Sequence, residues 1–488
     1  MSFVSELEPR AVWKQFDQIL TIPRPSKKEE RARRYVIEAA EAKGLRWRQD
    51  AAGNVVVEKP ASPGKEGAPG VVLQGHLDMV AEKNSGTVHD FDRDPIVPRR
   101  DGDWLKATGT TLGADNGIGA ATMLAVMEAD GLVHGPLELL FTVDEETGLN
   151  GVLALDPAAI ALHGRLLLNL DSEEEGAVTI GCAGGSSSQL SLPLETAPAP
   201  SGTVALEVRV SGLKGGHSGV EIHLQRGNAI KLLGRVLFAA AQQEAFRIAD
   251  FRGGNMRNAI PREAQARIVV PAEGRAAFAA AVEREAAAIQ DEIRPADPGL
   301  KIEIAETPAL DRVWTAESSR RALDLVNALP HGVLAMSYDM QDLVETSANL
   351  ATAASTDGSL VLLMTLRSSV GSAMKATRRG MRAIGELAGA GVEEVEGYPG
   401  WKPNLESPLL ATFRGVHQRL TGAEPELRAV HAGLECGVLG EKFPGMDMIS
   451  FGPVIKGAHS PDEGVRIDSV GRFYDLLTAV LGELAQRS

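Results

Sequence analysis

Cysteine is nearly absent: the 488 residues hold only Cys182 and Cys436. Two are too few for a disulfide framework or a cysteine-built zinc cage. No apolar run approaches the roughly 20 residues a membrane-crossing helix needs, so a spanning protein is excluded. Positive charge is also in short supply, with 50 Lys and Arg against 65 Asp and Glu and a formal charge of −15. Nucleic-acid binding through counterion release needs clustered cations, and this balance disfavours it. The opening stretch Met1-Ser2-Phe3-Val4-Ser5-Glu6-Leu7-Glu8 has neither the basic nor the apolar segment of a secretion signal. What is present is ordinary globular composition, 44% apolar and 24% charged, which rules out wholesale disorder. The length suggests two or three domains, and the expectation is a soluble, cytoplasmic protein.

Apolar residues at helical spacing predict helices over 11–20 and 29–42, the second stopping before Gly44. β-rich runs follow at 54–58, 71–74, 137–143 and 166–170, with a small-residue helix over 117–129. This alternation predicts an α/β fold, a mixed and largely parallel sheet flanked by helices. The character changes near Gly184-Gly185-Ser186-Ser187-Ser188. Alternating runs at 204–210 and 264–270 are interleaved there with Ala-rich helices at 227–242, 275–293 and 372–388. That pattern predicts an inserted two-layer α+β domain over 186–397 with one open sheet face. The first domain, 1–185, is then completed by 398–488, with hinges expected near 184–188 and 397–400.

The residues that carry chemistry sit in short polar clusters just after apolar strands. Gly75-His76-Leu77-Asp78 follows the first, at the strand end where open parallel sheets gather ligands. Asp78 is placed to hold the second ring nitrogen of a metal-ligating His76; a strand-end histidine capped by a turn aspartate is the commonplace alternative. Gly113-Ala114-Asp115-Asn116-Gly117 surrounds an acid with glycines that permit close approach to an ion, although an Asp-Asn-Gly turn is common without one. Asp144-Glu145-Glu146 closes a third strand, where neighbouring side chains point apart, so that one Glu can ligate a metal and the other act as a base. A solvated acidic loop would look the same. Asp171 ends a fourth strand, and the glutamates after it read as a solvated run. His459, in Gly457-Ala458-His459-Ser460-Pro461-Asp462-Glu463, is far away in sequence. Taken together, His76, Asp115, Glu146, Asp171 and His459 are two imidazoles and three carboxylates, a set favouring zinc, manganese or cobalt over calcium. With Asp115 shared, two metals would each receive three protein ligands and keep an open position.

These clusters, with Lys214-Gly215-Gly216-His217-Ser218-Gly219, His431-Ala432-Gly433-Leu434-Glu435-Cys436-Gly437 and His459-Ser460-Pro461, resemble those of a co-catalytic di-zinc metallopeptidase family. That family includes carboxypeptidase G and aminoacylase, and the resemblance runs nearly end to end, strongest toward its aminoacyl-histidine dipeptidase branch. It implies that Asp115 bridges two Zn2+ ions, His76 and Asp171 completing one shell and Glu146 and His459 the other. It also implies that Asp78 orients His76 and that Glu145 is the general base. Peptide cleavage further needs a donor for the developing oxyanion and a cation for the substrate carboxylate. His217 suits the first role, Arg367 the second, and Asn258 either. Glu435 is read two ways, as the acceptor of a substrate ammonium group or of main-chain hydrogen bonds in the core. The 1–185 and 398–488 segments would be the catalytic domain and the insert a lid that also supports a homodimer.

The implied activity is hydrolysis of unblocked dipeptides, Xaa-His among them, with no nucleic-acid or membrane partner. A carboxypeptidase or N-acyl amino acid deacylase is the alternative within the same chemistry, and a non-catalytic metal-binding relative is the alternative outside it. His89, His134, His163, His331 and His417 are expected in loops or on helix surfaces. Both cysteines are expected in the core rather than as nucleophiles.

Overall fold

A computed structural model describes residues 2–487. The chain forms two compact units: the first runs to Cys182 and resumes over Trp401–Ala429 and from Leu434 onward, and the second comprises Ala183–Gly400 and Val430–Gly433.

The first unit is built on an eight-stranded mixed sheet. Its centre is parallel, in the spatial order Leu137–Thr142, Val71–His76, Leu166–Asn169, Asp447–Ser450. Parallelism stops there, because Val55–Lys59 and Ala177–Cys182 join this core antiparallel. Every residue of Val71–His76 and Leu137–Thr142 is buried, as strands covered on both faces require. That is why they read as continuous apolar runs rather than alternating ones. Helix Ala114–Glu128 is buried on nearly all sides, a core helix rather than an amphipathic surface one. Its regular part begins only after Asp115 and Asn116, whose backbones are non-helical and whose joining peptide is cis. The in-register ends of the four parallel strands share one edge, where the polar clusters lie.

The second unit is a nine-stranded antiparallel sheet. Helices Ala229–Ala241, Arg275–Ile293, Ala316–Ala328 and Gly371–Leu387 supply the other layer. Leu233, Val236, Leu237, Phe278, Val282 and Leu325 meet Leu360, Leu362 and Met364 of the sheet in one core. Strand Ser359–Ser368 alternates strictly between buried and half-buried residues, the mark of a sheet with one covered face. Residues 184–188, near which one hinge is expected, are not a loop. They lie within strand Gly184–Pro193, paired on both sides by Ser359–Ser368 and Gly391–Tyr398. The glycine at 184 is required by close packing, since a Cβ there would lie 2.5 Å from the Gly400 amide nitrogen. Among the described residues, no helix is long and apolar enough to cross a membrane.

Candidate metal centre

All five residues of the expected ligand set meet at the shared strand edge of the first unit. His76 Nε2 lies 3.2 Å from Asp115 Oδ1 and 3.3 Å from Asp171 Oδ1. His459 Nε2 lies 3.2 Å from Asp115 Oδ2 and 2.9 Å from Glu146 Oε2. The two oxygens of Asp115 therefore face two different groups, His76 with Asp171 and His459 with Glu146. Within each group the candidate ligand atoms lie no more than 4.8 Å apart. Glu145 forms a third such group with His76 and Glu146, so it borders both halves of the site.

The electrostatics are those of a place waiting for positive charge. Burial works against a charge on His76, yet the carboxylates of Asp171 and Asp115 raise its pKa well above the ordinary imidazole value. Hydrogen bonds to Asp115 and Glu146 hold His459 up to about 11. Burial pushes Asp171 up to about 7 against the pull of His76. Burial would raise Asp115 as well, but His459 and His76 keep it below the usual carboxylate range. Asp171 Oδ1 is buried without a hydrogen-bond partner, a condition that calls for an ion or water. Crowded carboxylates, imidazoles within their reach and an orphaned ligand oxygen fit a pair of divalent cations.

The supporting contacts go beyond the expected ones. Asp78 is fully buried and lies 3.3 Å from His76 Nδ1, an ion-pair contact short of hydrogen-bond geometry. It also accepts the main-chain N–H groups of Glu145 and Glu146, both at 3.1 Å, and Ser26 Oγ at 2.8 Å. One carboxylate thus fixes a ligand and the Glu145-Glu146 peptide together. Burial raises Glu145 well above the ordinary carboxyl value, with Asp171, Glu435 and Glu146 adding to the effect. His459 and Asp144 have left-handed φ of 63° and 48°, strained backbone of the kind that gathers at functional sites.

Glu435 is fully buried and takes side-chain rather than main-chain donors, Gln74 Nε2 at 2.5 Å and Thr142 Oγ1 at 2.8 Å. It ends a polar belt beneath the ligands. Ser450 Oγ donates to Asn169 Oδ1 at 2.5 Å, Asn169 Nδ2 donates to Gln74 Oε1 at 2.6 Å, and Gln74 donates to Glu435. The belt crosses the parallel strands in their spatial order and ties together the ends that present His76, Glu145 and Asp171.

Several site residues escaped the sequence. Glu174 and Glu175 pair with Arg428 and Arg472, but Glu173 is half-buried. Burial, then the charge of Asp115, pushes Glu173 up to about 7, so that run is not uniformly solvated. The glycines around Asp115 make room for a side chain rather than for an ion: a Cβ at Gly113 or Gly117 would come within 2.5 or 2.6 Å of Arg24 Nη2. His134 lies in a loop as expected, but it is buried, and His417 is on the buried rather than the surface side of its helix. Cys182 and Cys436 are buried core thiols, as expected.

His217, Asn258 and Arg367 belong to the second unit. His217 Nδ1 accepts the Gly219 and Val220 N–H groups at 3.2 and 3.1 Å, which leaves the ring proton on Nε2. Burial, then Arg367, lowers the pKa of His217, so the ring is a neutral Nε2–H donor. Asn258 and His217 line one cavity of about 620 Å³. Arg367 Nη1 donates to Tyr398 Oη at 3.1 Å, and Ser347, its neighbour across the strands, contacts His431 Nε2 at 2.7 Å.

A two-unit α/β protein with a carboxylate–imidazole centre at its parallel strand ends is the architecture of a metallopeptidase. The model of peptidase family M20/M25/M40 matches residues 72–483, and the chain belongs to that family. It is 43% identical over 485 residues to the cytosol non-specific dipeptidase of Escherichia coli (strain K12), covering 99% of each chain. The solved aminoacylhistidine dipeptidase from Vibrio alginolyticus superposes with a TM-score of 0.94 at 42% identity, covering 98% of each chain. An aminopeptidase PepT from Bacillus cereus shares the fold, with a TM-score of 0.57 at 16% identity over 98% of this chain and 99% of its own.

Proposed function

We propose that the chain is a two-metal dipeptidase acting on unblocked dipeptides, Xaa-His among them. The observation that carries this reading is Asp115, whose two oxygens face two imidazole–carboxylate groups while Glu145 borders both. Dipeptidase names on two relatives more than 40% identical over nearly the whole chain support the substrate class. His76, Asp115 and Asp171 would hold one ion and Asp115, Glu146 and His459 the other. Zinc is the ion this set favours, with manganese or cobalt as substitutes. When bound, the ions supply Lewis acidity at the peptide carbonyl and make water a better nucleophile near neutral pH.

Glu145 takes the proton from the attacking water and returns it to the leaving amine. Its burial suits this role, since a carboxylate with a raised pKa is a stronger base and gives its proton back at neutral pH. His217 Nε2–H is the donor for the developing oxyanion, and Arg367 pairs with the substrate's terminal carboxylate, with Asn258 assisting. Glu435, sealed beneath the ligands with one oxygen unpartnered, serves the belt in this reading rather than the substrate ammonium. The two units act as catalytic and lid domains, in the cytoplasm by analogy with the relative named for the cytosol, and the small-residue helices of the insert support a homodimer.

The test is hydrolysis of Gly-Gly, a β-alanyl-histidine dipeptide and their N-acetylated forms, with and without chelator. Cleavage of the free dipeptides only, lost with chelator and restored by zinc, is the expected result. Cleavage of the acetylated forms instead would replace the reading with a deacylase.

A further inference from the structure

Two buried charges of the first unit have no part in the reaction as described. Glu463 is 2% exposed and Arg24 is 3% exposed, and buried ionic groups persist only where partners compensate them. Those of Glu463 are four successive main-chain N–H groups. Oε2 accepts Leu112 at 2.7 Å and Gly113 at 2.8 Å, and Oε1 accepts Ala114 at 2.7 Å and Asp115 at 3.2 Å. Successive amides turned inward on one anion form a main-chain nest, and Gly113, with φ of 70°, permits the turn. Arg24 grips the same loop by its carbonyl side: Nη2 donates to Gly113 O, while Nη1 donates to Leu77 O at 2.9 Å and Asp78 O at 2.8 Å.

We propose that Glu463 and Arg24 are positioning residues that clamp the 112–115 loop from its two polar sides and so set the Asp115 oxygens between the two ligand groups. This inference rests on the two-metal reading. Arg24 links the loop to the chain just after His76. Glu463 links it to the segment bearing His459, four residues earlier, through a compact turn in which Glu463 N donates to Ser460 O at 3.0 Å and Ser460 N to Gly457 O at 3.2 Å. The elements that present His76, Asp115 and His459 are thereby joined through one loop, independently of any ion.

Glu463→Gln keeps the shape but turns one acceptor oxygen into a donor, so two of the four amides lose their partner. Amide exchange is read first, on metal-free protein. Exchange over 112–115 should accelerate at least ~10-fold, while that of helix Ala229–Ala241 in the second unit stays unchanged. Competition with a chromogenic chelator then reads zinc affinity. It should fall roughly 10–100-fold, the range for residues that hold ligands in place, and excess zinc should restore turnover. Arg24→Lys, whose single ammonium cannot span three carbonyls, should act in the same direction. Glu463→Asp should give an intermediate loss and carries the test if the glutamine variant does not fold. Wild-type exchange and wild-type zinc affinity in these variants would overturn the clamp. Accelerated exchange in a protein whose wild type binds no zinc would instead leave the clamp standing and refute the metal reading.

Discussion

Replacing Asp78 by Asn tests how the candidate base and the metal ligands depend on one another. Oδ1 of Asp78 accepts Glu145 N and pairs with His76, and Oδ2 accepts Glu146 N and Ser26 Oγ. Asparagine keeps one acceptor oxygen and gains a donor amide. The less costly orientation puts the amide where Oδ2 was, because the Ser26 hydroxyl can rotate to accept from it, and only Glu146 N then loses its partner. The opposite orientation strands Glu145 N and aims a donor at His76 Nδ1. One buried N–H left without an acceptor costs about 1–3 kcal/mol, which is the expected loss of stability in metal-free protein. The charge lost beside His76, together with a Glu146 released from its anchor, should lower zinc affinity roughly 10–100-fold. Burial would raise Asp78, but the charge of His76 and hydrogen bonds from Ser26 and the Glu145 amide hold it down at about 2, so the carboxylate is ionised under assay conditions. Urea unfolding with EDTA measures the first effect and chelator competition the second. Wild-type values in both would mean that Asp78 is a bystander, and the dual anchoring described above would be wrong.

Glu145→Gln should retain its zinc by atomic absorption while dipeptide turnover falls ~10²–10⁴-fold, the usual contribution of general-base catalysis. His217→Ala, which removes a neutral Nε2–H donor, should lower kcat by ~10²–10³ with zinc content unchanged. Burial, then Arg367, depresses the pKa of His431 to about 3, so as pH falls the unfolded chain takes up this proton first. The stability contributed by the neutral ring is therefore complete above the ordinary value near 6.5 and is lost as pH falls toward 3, about 2 kcal/mol of it between pH 7 and pH 5. Urea midpoints at those two pH values should converge for wild type and His431→Gln, and a pH-independent gap would refute the assignment.

The ligand set was legible because topology constrains it. A polar residue at or just past the end of a central parallel strand emerges at the carboxyl edge: His76 ends one strand of that core, and Asp171 and Glu146 lie shortly after the ends of two others. Asp115 was legible from its place at the start of a buried helix. The tie to His459 rested on family resemblance, because nothing within Gly457–Glu463 itself says where that loop returns. Glu173 was misread because three consecutive acids look alike in sequence, whereas the chain direction after a strand end turns one of them inward. The Gly-Ser cluster at 184–188 suggested a hinge by composition. It is instead a strand whose small residues allow close backbone packing, a distinction that depends on partners nearly two hundred residues away in the chain.

Arg24 and Glu463 had no such signature. An arginine between two prolines and a glutamate after a histidine loop are unremarkable in sequence, because their roles consist of main-chain contacts that depend on the tertiary fold. Yet those contacts answer a problem the ligands create. Asp115, Glu146 and Asp171 crowd one another, and their repulsion would drive them apart in a metal-free chain unless something other than the ion opposed it. Charged imidazoles oppose part of it. The remainder must come from restraints on the backbone that carries the acids, and the observed ones act on main-chain groups. Asp78 holds the amides of Glu145 and Glu146, Glu463 holds those of 112–115, and Arg24 holds the carbonyls of Leu77, Asp78 and Gly113. A restraint on the main chain leaves the carboxylate oxygens free, and free oxygens are what a site preorganised for two cations must present.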